Sequence, residues 1–205
     1  AARSRSLIVK FEGSYHGSYD DVSWSVSPKM QSAGEARSPI AVAETAGLTG
    51  ISGRVSVLPY NDIGALEEFV HANHDQLAAI LVEPLANRIG LLMPDAAFVQ
   101  AVRALCDRYG IVLIFDEVIA FRVGFNGAQG KLGVAPDISA LGKIIGGGLP
   151  VGAVVGRADI LDLSIPGASA RVTHAGTFNA NPMTVVAGLT TMQMLTPQVF
   201  DRIAA

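Results

Sequence analysis

Residues 77–83 and 111–117 read Leu77-Ala78-Ala79-Ile80-Leu81-Val82-Glu83 and Ile111-Val112-Leu113-Ile114-Phe115-Asp116-Glu117. Each is a continuous apolar run stopped by an acid, the pattern of a strand buried on both faces of a parallel sheet. Between them, Ala96 to Tyr109 sets Phe98, Val102, Leu105, Cys106 and Tyr109 at helical spacing, with Asp95 predicted as N-cap and Gly110 as the stop. Strand, helix and strand in that order make a βαβ unit. Working outward, Leu7-Ile8-Val9 before Lys10-Phe11 and Arg54 to Leu58 are predicted strands. Asp62 to His71 is a predicted helix, and Pro182 to Leu195 a later one that starts just after Asn181. The expected fold class is α/β, three layers (α/β/α) around a mostly parallel central sheet.

The chain has 205 residues, about 1.4 times a typical domain, so one large domain or most of one is expected. Half of it is hydrophobic and 16% is charged, enough apolar surface for a substantial core. A net charge of −3 with dispersed basic residues argues against nucleic-acid and anionic-membrane partners and leaves small molecules as the expected ones. The apolar runs fall far short of the roughly 20 residues of a spanning helix. Cys106 is the single cysteine and no signal-peptide pattern is visible, which points to a reducing, cytoplasmic compartment. The chain opens on Ala1 and closes on a helix-like stretch to Ala205, so both ends are expected to be cuts within a longer protein.

Glycine is in surplus: 22 residues, about 11% against roughly 7% on average. It concentrates at Gly124, Gly127, Gly130 and Gly133, then at Gly142, Gly146, Gly147, Gly148 and Gly152. Such clusters let backbone approach a ligand closely. Two phosphate motifs fail on inspection. Val151 stands where a dinucleotide fingerprint begun at Gly146 and Gly148 needs its third glycine, and Ile144 follows Lys143 where a P-loop needs Ser or Thr. A nucleotide-binding oxidoreductase is therefore disfavoured.

Ligands of open α/β sheets bind outside the carboxyl ends of the strands, which singles out Glu83 and Asp116. Either acid alone also reads as a strand stop. Lys143 stands in an apolar, glycine-rich stretch from Ala140 to Pro150. Burial there makes a lysine shed its proton readily, and a neutral amine condenses with carbonyls, whereas an exposed loop lysine is the ordinary alternative. His71, His74 and His174 lack metal-ligand spacing and read as solvated or structural, so no metal site is expected.

The series Asp116-Glu117-Val118, Gly142-Lys143-Ile144-Ile145-Gly146-Gly147-Gly148-Leu149-Pro150-Val151-Gly152, Gly176-Thr177 and Asn181-Pro182 resembles the class III aminotransferases, and most of all their glutamate-1-semialdehyde 2,1-aminomutase branch. Phe11-Glu12-Gly13-Ser14-Tyr15-His16-Gly17 and Val82-Glu83-Pro84 fit the same family. The match runs from about Leu7 to Leu195, and several motifs in the right order make it specific.

The resemblance implies a fold-type I enzyme with pyridoxal 5′-phosphate attached covalently to Lys143, the catalytic lysine. Asp116 pairs with the pyridine nitrogen, Val118 presses one ring face and Tyr15 stacks on the other, with His16 beside it. Tyr15 and His16 also fit an ordinary surface turn. Thr177 gives its hydroxyl to the cofactor phosphate of the neighbouring subunit, which implies a homodimer. Glu83 shapes the site. Arg88 stands where the family often has asparagine, either to donate to the cofactor's phenolic oxygen or to grip a substrate carboxylate. Between Asp116 and Arg122 the chain is one residue shorter than the aminomutase pattern, and aminotransferase and aminomutase both stay open. Residues 1–205 then form the large cofactor-binding domain, with a phosphate-cup segment expected before residue 1 and a small domain after the chain. The alternative is a catalytically incomplete relative or fragment that only dimerises.

Overall fold

The computed structural model describes residues 4–45, 54–165, 167 and 172–204. The chain divides into two compact units, one ending at Phe115 and the other taking over at Asp116. In chain order the first comprises β1 (Leu7–Phe11), α1 (Met30–Ala33), β2 (Gly34–Glu35), β3 (Ser38–Pro39), β4 (Val55–Leu58), α2 (Ile63–Asn73), β5 (Leu77–Val82), α3 (Ala96–Tyr109) and β6 (Val112–Asp116), the last carrying the chain across the boundary. β1 lies between β4 and β5, β5 pairs with β6, and all three pairings are parallel. From β1 the chain moves outward to β4, then returns to β5 and continues the other way to β6. The order thus reverses between β1 and β5, where an open α/β sheet leaves a crevice at its carboxyl ends.

Continuous apolar strands are what such a sheet requires. Leu77, Ile80 and Val82 of β5 are fully buried, as are Leu113 and Phe115 of β6. α3 covers them with Phe98, Val99, Val102, Leu105 and Cys106. Phe11, Tyr60 and Phe98 meet with ring centroids 5.2–5.9 Å apart. At the start of α2, Asp62 accepts the Ala65 N–H at 2.8 Å, and Gly110 closes α3 in the left-handed conformation with its N–H on the Cys106 carbonyl. Asp95 departs from expectation. It occupies the N-cap position of α3, but its side chain makes no capping bond; its own N–H donates to Asn61 Oδ1 at 3.0 Å, so Asn61 anchors the helix entry. The predicted strands at Arg54 and Ile111 each begin one residue later, at Val55 and Val112. His71 and His74 pack against Tyr109, a structural use.

The second unit holds α4 (Gly127–Leu132), β7 (Ile138–Gly142), β8 (Gly152–Gly156), α5 (Ala158–Leu161), α6 (Pro182–Met194) and α7 (Pro197–Ala204). β7 and β8 form an antiparallel pair from Ile138↔Gly156 to Gly142↔Gly152. α6 begins as predicted, with Asn181 Oδ1 accepting the N–H groups of Met183 and Thr184 and Pro182 in the first turn. Among the described residues no helix is long and apolar enough to cross a membrane.

Lys10, inside β1, is fully buried. Its ammonium donates to the carbonyls of Ser14 at 2.8 Å, Val22 at 3.2 Å and Trp24. Burial pulls its pKa from 10.5 down to about 8, while the carboxylates of Glu44 and Glu83 hold it up. Lys10→Met, which strands three carbonyls, is expected to destabilise the full-length protein by about 2–4 kcal/mol at neutral pH. The pH dependence is the sharper readout. Between pH 8 and 10.5 the unfolded chain keeps a proton at Lys10 that the native state has shed, so this contribution to stability rises with pH, by up to about 3 kcal/mol. Tyr60, raised above its ordinary 10.0 chiefly by burial, acts in the opposite sense from pH 10 upward. Denaturant unfolding at pH 7, 8, 9 and 10 should show the rise in the wild type and its loss in Lys10→Met.

Candidate active site

Three of the sequence-predicted residues come together in the second unit. Asp116 ends β6 half-buried, and its Oδ1 accepts the Val118 N–H at 3.1 Å. The Glu117 N–H donates to the Ala140 carbonyl at 2.9 Å, which ties this segment alongside β7. β7 ends at Gly142, where a methyl group would lie 3.2 Å from Val118 Cγ1, and Lys143 follows immediately. An acid, a branched apolar wall and an amine therefore stand together where β6 and β7 end. Lys143 is exposed, the second of the two settings the sequence left open.

The turn that carries Lys143 is held by close packing. Lys143 itself adopts a left-handed φ of 50°, an unusual conformation for a residue with a side chain. Gly147, at φ 60°, lets the turn meet α6: a Cβ there would fall 2.5 Å from the Ala187 carbonyl oxygen. Reciprocally, a Cβ at Gly188 would fall 2.6 Å from the Ile145 carbonyl oxygen. The glycines Gly147 and Gly188 thus let the Lys143 turn pack against a helix backbone rather than stand as a free loop. Thr177 lies exposed in the 177–180 turn ahead of α6.

Glu117, adjacent to Asp116, has a different fate. It is fully buried, with Oε2 accepting the Ala128 N–H at 2.7 Å and Oε1 accepting from Gln129 Nε2 at 2.8 Å. Burial raises its pKa and these donors oppose the rise. It anchors the start of α4.

In the first unit a second group forms at the β1/β5 reversal. Glu83, 3% exposed, accepts the Tyr15 N–H on Oε2 at 2.8 Å and the Asn87 N–H on Oε1 at 3.2 Å. The Arg88 guanidinium sits over the Tyr15 ring, 5.3 Å from its centroid. His16 follows, half-buried. A cavity of about 300 Å³ opens beside them, lined by Tyr15, Asp20, Ser23, Glu44 and Arg88 among others. Sequence reasoning named Glu83, Tyr15 and Arg88 but not Lys10 or Glu44; a lysine inside an apolar strand was the visible signal for Lys10.

The class-III aminotransferase family model matches residues 1–205, the whole chain. The chain belongs to the class-III aminotransferases. Among its relatives, the chain is 46% identical over 193 residues to a glutamate-1-semialdehyde 2,1-aminomutase of Caldivirga maquilingensis, covering 93% of the chain and 43% of the relative. It superposes on an omega-transaminase from Sphaerobacter thermophilus with a TM-score of 0.94 and 47% identity, covering 99% of the chain and 47% of that protein. A transaminase with PLP bound matches at a TM-score of 0.89 and 36% identity, over 98% of the chain and 46% of that protein. The class-III aminotransferase chain thus spans less than half the length of the relatives it matches, and its fold is that family's α/β architecture with a mostly parallel central sheet.

Proposed function

We propose that the protein carrying this chain is a pyridoxal 5′-phosphate enzyme that moves an amino group on an amino-acid or amino-aldehyde substrate, as an aminotransferase or as an aminomutase like glutamate-1-semialdehyde 2,1-aminomutase. The observation that carries this reading is the placing of Asp116, Val118 and Lys143 where β6 and β7 end. That donor set suits an aldehyde-bearing pyridine: an amine for the aldehyde, a carboxylate for the ring nitrogen and an apolar side chain for a ring face. When bound, the cofactor supplies an electron-withdrawing ring that stabilises the carbanion at the substrate α-carbon.

In this reading Asp116 holds a proton at the ring nitrogen, and Val118 and Tyr15 offer surfaces to the ring. Lys143 anchors the cofactor through Nζ and, once freed by substrate, takes and returns the α-proton. His16 and Glu83 complete the surroundings. Arg88 either donates to the phenolic oxygen or grips a substrate carboxylate. Thr177 donates to the cofactor phosphate of a neighbouring subunit in a homodimer; the exposed apolar side chains of Phe178, Met183, Val186 and Leu189 around the start of α6 support a covered face there. Residues 1–205 form the large cofactor-binding domain, and the cytoplasm is the proposed compartment.

The test uses the full-length protein loaded with pyridoxal phosphate. Exposure to a panel of α-, β- and ω-amino acids should change the cofactor's absorbance and release keto product if it is an aminotransferase. Internal conversion of glutamate 1-semialdehyde without release marks the aminomutase. Inertness toward both sets sinks the reading.

A further inference from the structure

Glu83 heads the loop that follows β5, and Tyr15 sits in the loop that follows β1. These are the two loops flanking the point where strand order reverses. We propose that Glu83 is a positioning residue whose carboxylate clamps the two loops together and fixes how the Tyr15 ring is presented.

Both carboxylate oxygens are engaged by backbone N–H groups of different loops, Tyr15 on one and Asn87 on the other. Bonds to an ionised acceptor are roughly twice as strong as neutral ones, and burial keeps water from competing. Tyr60 Oη donates to the Glu83 carbonyl at 2.7 Å and so fixes the base of the clamp. Asn87 begins the short turn Asn87–Ile89, and Arg88 in that turn lies on the Tyr15 ring. One carboxylate therefore holds the backbone of Tyr15 and the backbone next to the cation that covers it. Gly13 makes the loops interlock: at φ 78° it leaves room for Ile89, whose Cγ2 would stand 2.4 Å from a Cβ at position 13. On the same loop Lys10 holds the carbonyls of Ser14, Val22 and Trp24, so an anion secures its N–H side and a cation its C=O side.

The consequence for the cofactor rests on the function proposed above; the clamp does not. Hydrogen–deuterium exchange on the full-length protein without cofactor tests the clamp. In Glu83→Gln, which keeps one acceptor, the peptide covering residues 12–17 should exchange at least ten-fold faster while the α3 peptide 96–109 keeps its protection. Unchanged exchange at 12–17, or equal loss of protection in both peptides, overturns the clamp. If Glu83→Gln does not fold, Tyr60→Phe, which removes only the hydroxyl on the Glu83 carbonyl, should give a smaller acceleration confined to the same peptide; no acceleration there overturns the clamp equally. Pyridoxal phosphate titration then tests positioning. Glu83→Gln should weaken binding about ten-fold in the wild-type background and have no further effect in Tyr15→Ala. Additive losses overturn positioning through Tyr15. A wild-type protein that does not bind pyridoxal phosphate overturns the functional reading, with the exchange result still deciding the clamp.

Discussion

Under the proposed function, Lys143→Ala is expected to lower turnover of the full-length protein by roughly 10⁴-fold, the upper range for loss of a positioned acid–base group, here compounded by loss of the covalent anchor. The structure explains why no other lysine of this chain would take over. Lys143 is placed by a left-handed backbone conformation immediately after Gly142, in a turn packed through Gly147 and Gly188 onto α6. That conformation costs a residue with a side chain about 1–2 kcal/mol, which the packing must offset. The other lysines of this chain offer no substitute: Lys10 is buried and spends its ammonium on three carbonyls, while Lys29 and Lys131 lie outside this turn. Lys143→Arg should be equally inactive, because a guanidinium keeps its proton and cannot serve as base. Reduction of the cofactor-loaded wild type with borohydride, followed by peptide mapping, should label Lys143. An added small amine should restore part of the turnover of Lys143→Ala. A label on another lysine, or an alanine variant with near-normal turnover, removes Lys143 from the mechanism.

The βαβ stretch from Leu77 to Asp116 was legible because buried parallel strands need uninterrupted apolar residues and α3 needs a stripe at helical spacing; both are local requirements. The strand ends were legible for the same reason, which singled out Glu83 and Asp116 before any geometry, whereas Lys143 stood out by its glycine-rich setting and Val118 came only with the family resemblance. What the linear pattern conceals is how far a side chain reaches. Glu83 and Tyr15 are 68 positions apart, and nothing at either position announces that one carboxylate oxygen will accept the other's N–H. Asp116 and Glu117 look alike as neighbouring acids, yet alternation along the chain turns Glu117 into the interior toward Ala128 and Gln129 and leaves Asp116 at the strand edge. Asp95 occupies the cap position without a side-chain bond, and the residue that ties the helix entry, Asn61, lies 34 positions earlier.

That division of labour between adjacent acids sets the expectation for Asp116→Asn. The amide keeps the shape and an oxygen able to accept the Val118 N–H seen at 3.1 Å, so stability should change by less than about 1 kcal/mol. What it removes is the negative charge that, under the proposed function, would keep a proton at the ring nitrogen. Electrostatic partners of a developing charge are worth about 10²–10³ in kcat, and a loss of that size is expected here. The loss should fall on removal of the substrate α-proton. With an α-deuterated substrate the isotope effect on kcat should therefore rise in Asp116→Asn, as that step becomes slower than product release. Glu117→Gln provides the contrast: it disturbs a buried bond network at the start of α4 and should lower thermal stability, leaving the isotope effect of the remaining folded enzyme as in the wild type. Wild-type kcat and an unchanged isotope effect in Asp116→Asn would show that the ring nitrogen needs no anion, and the strand-end acid would then be only a stop to β6.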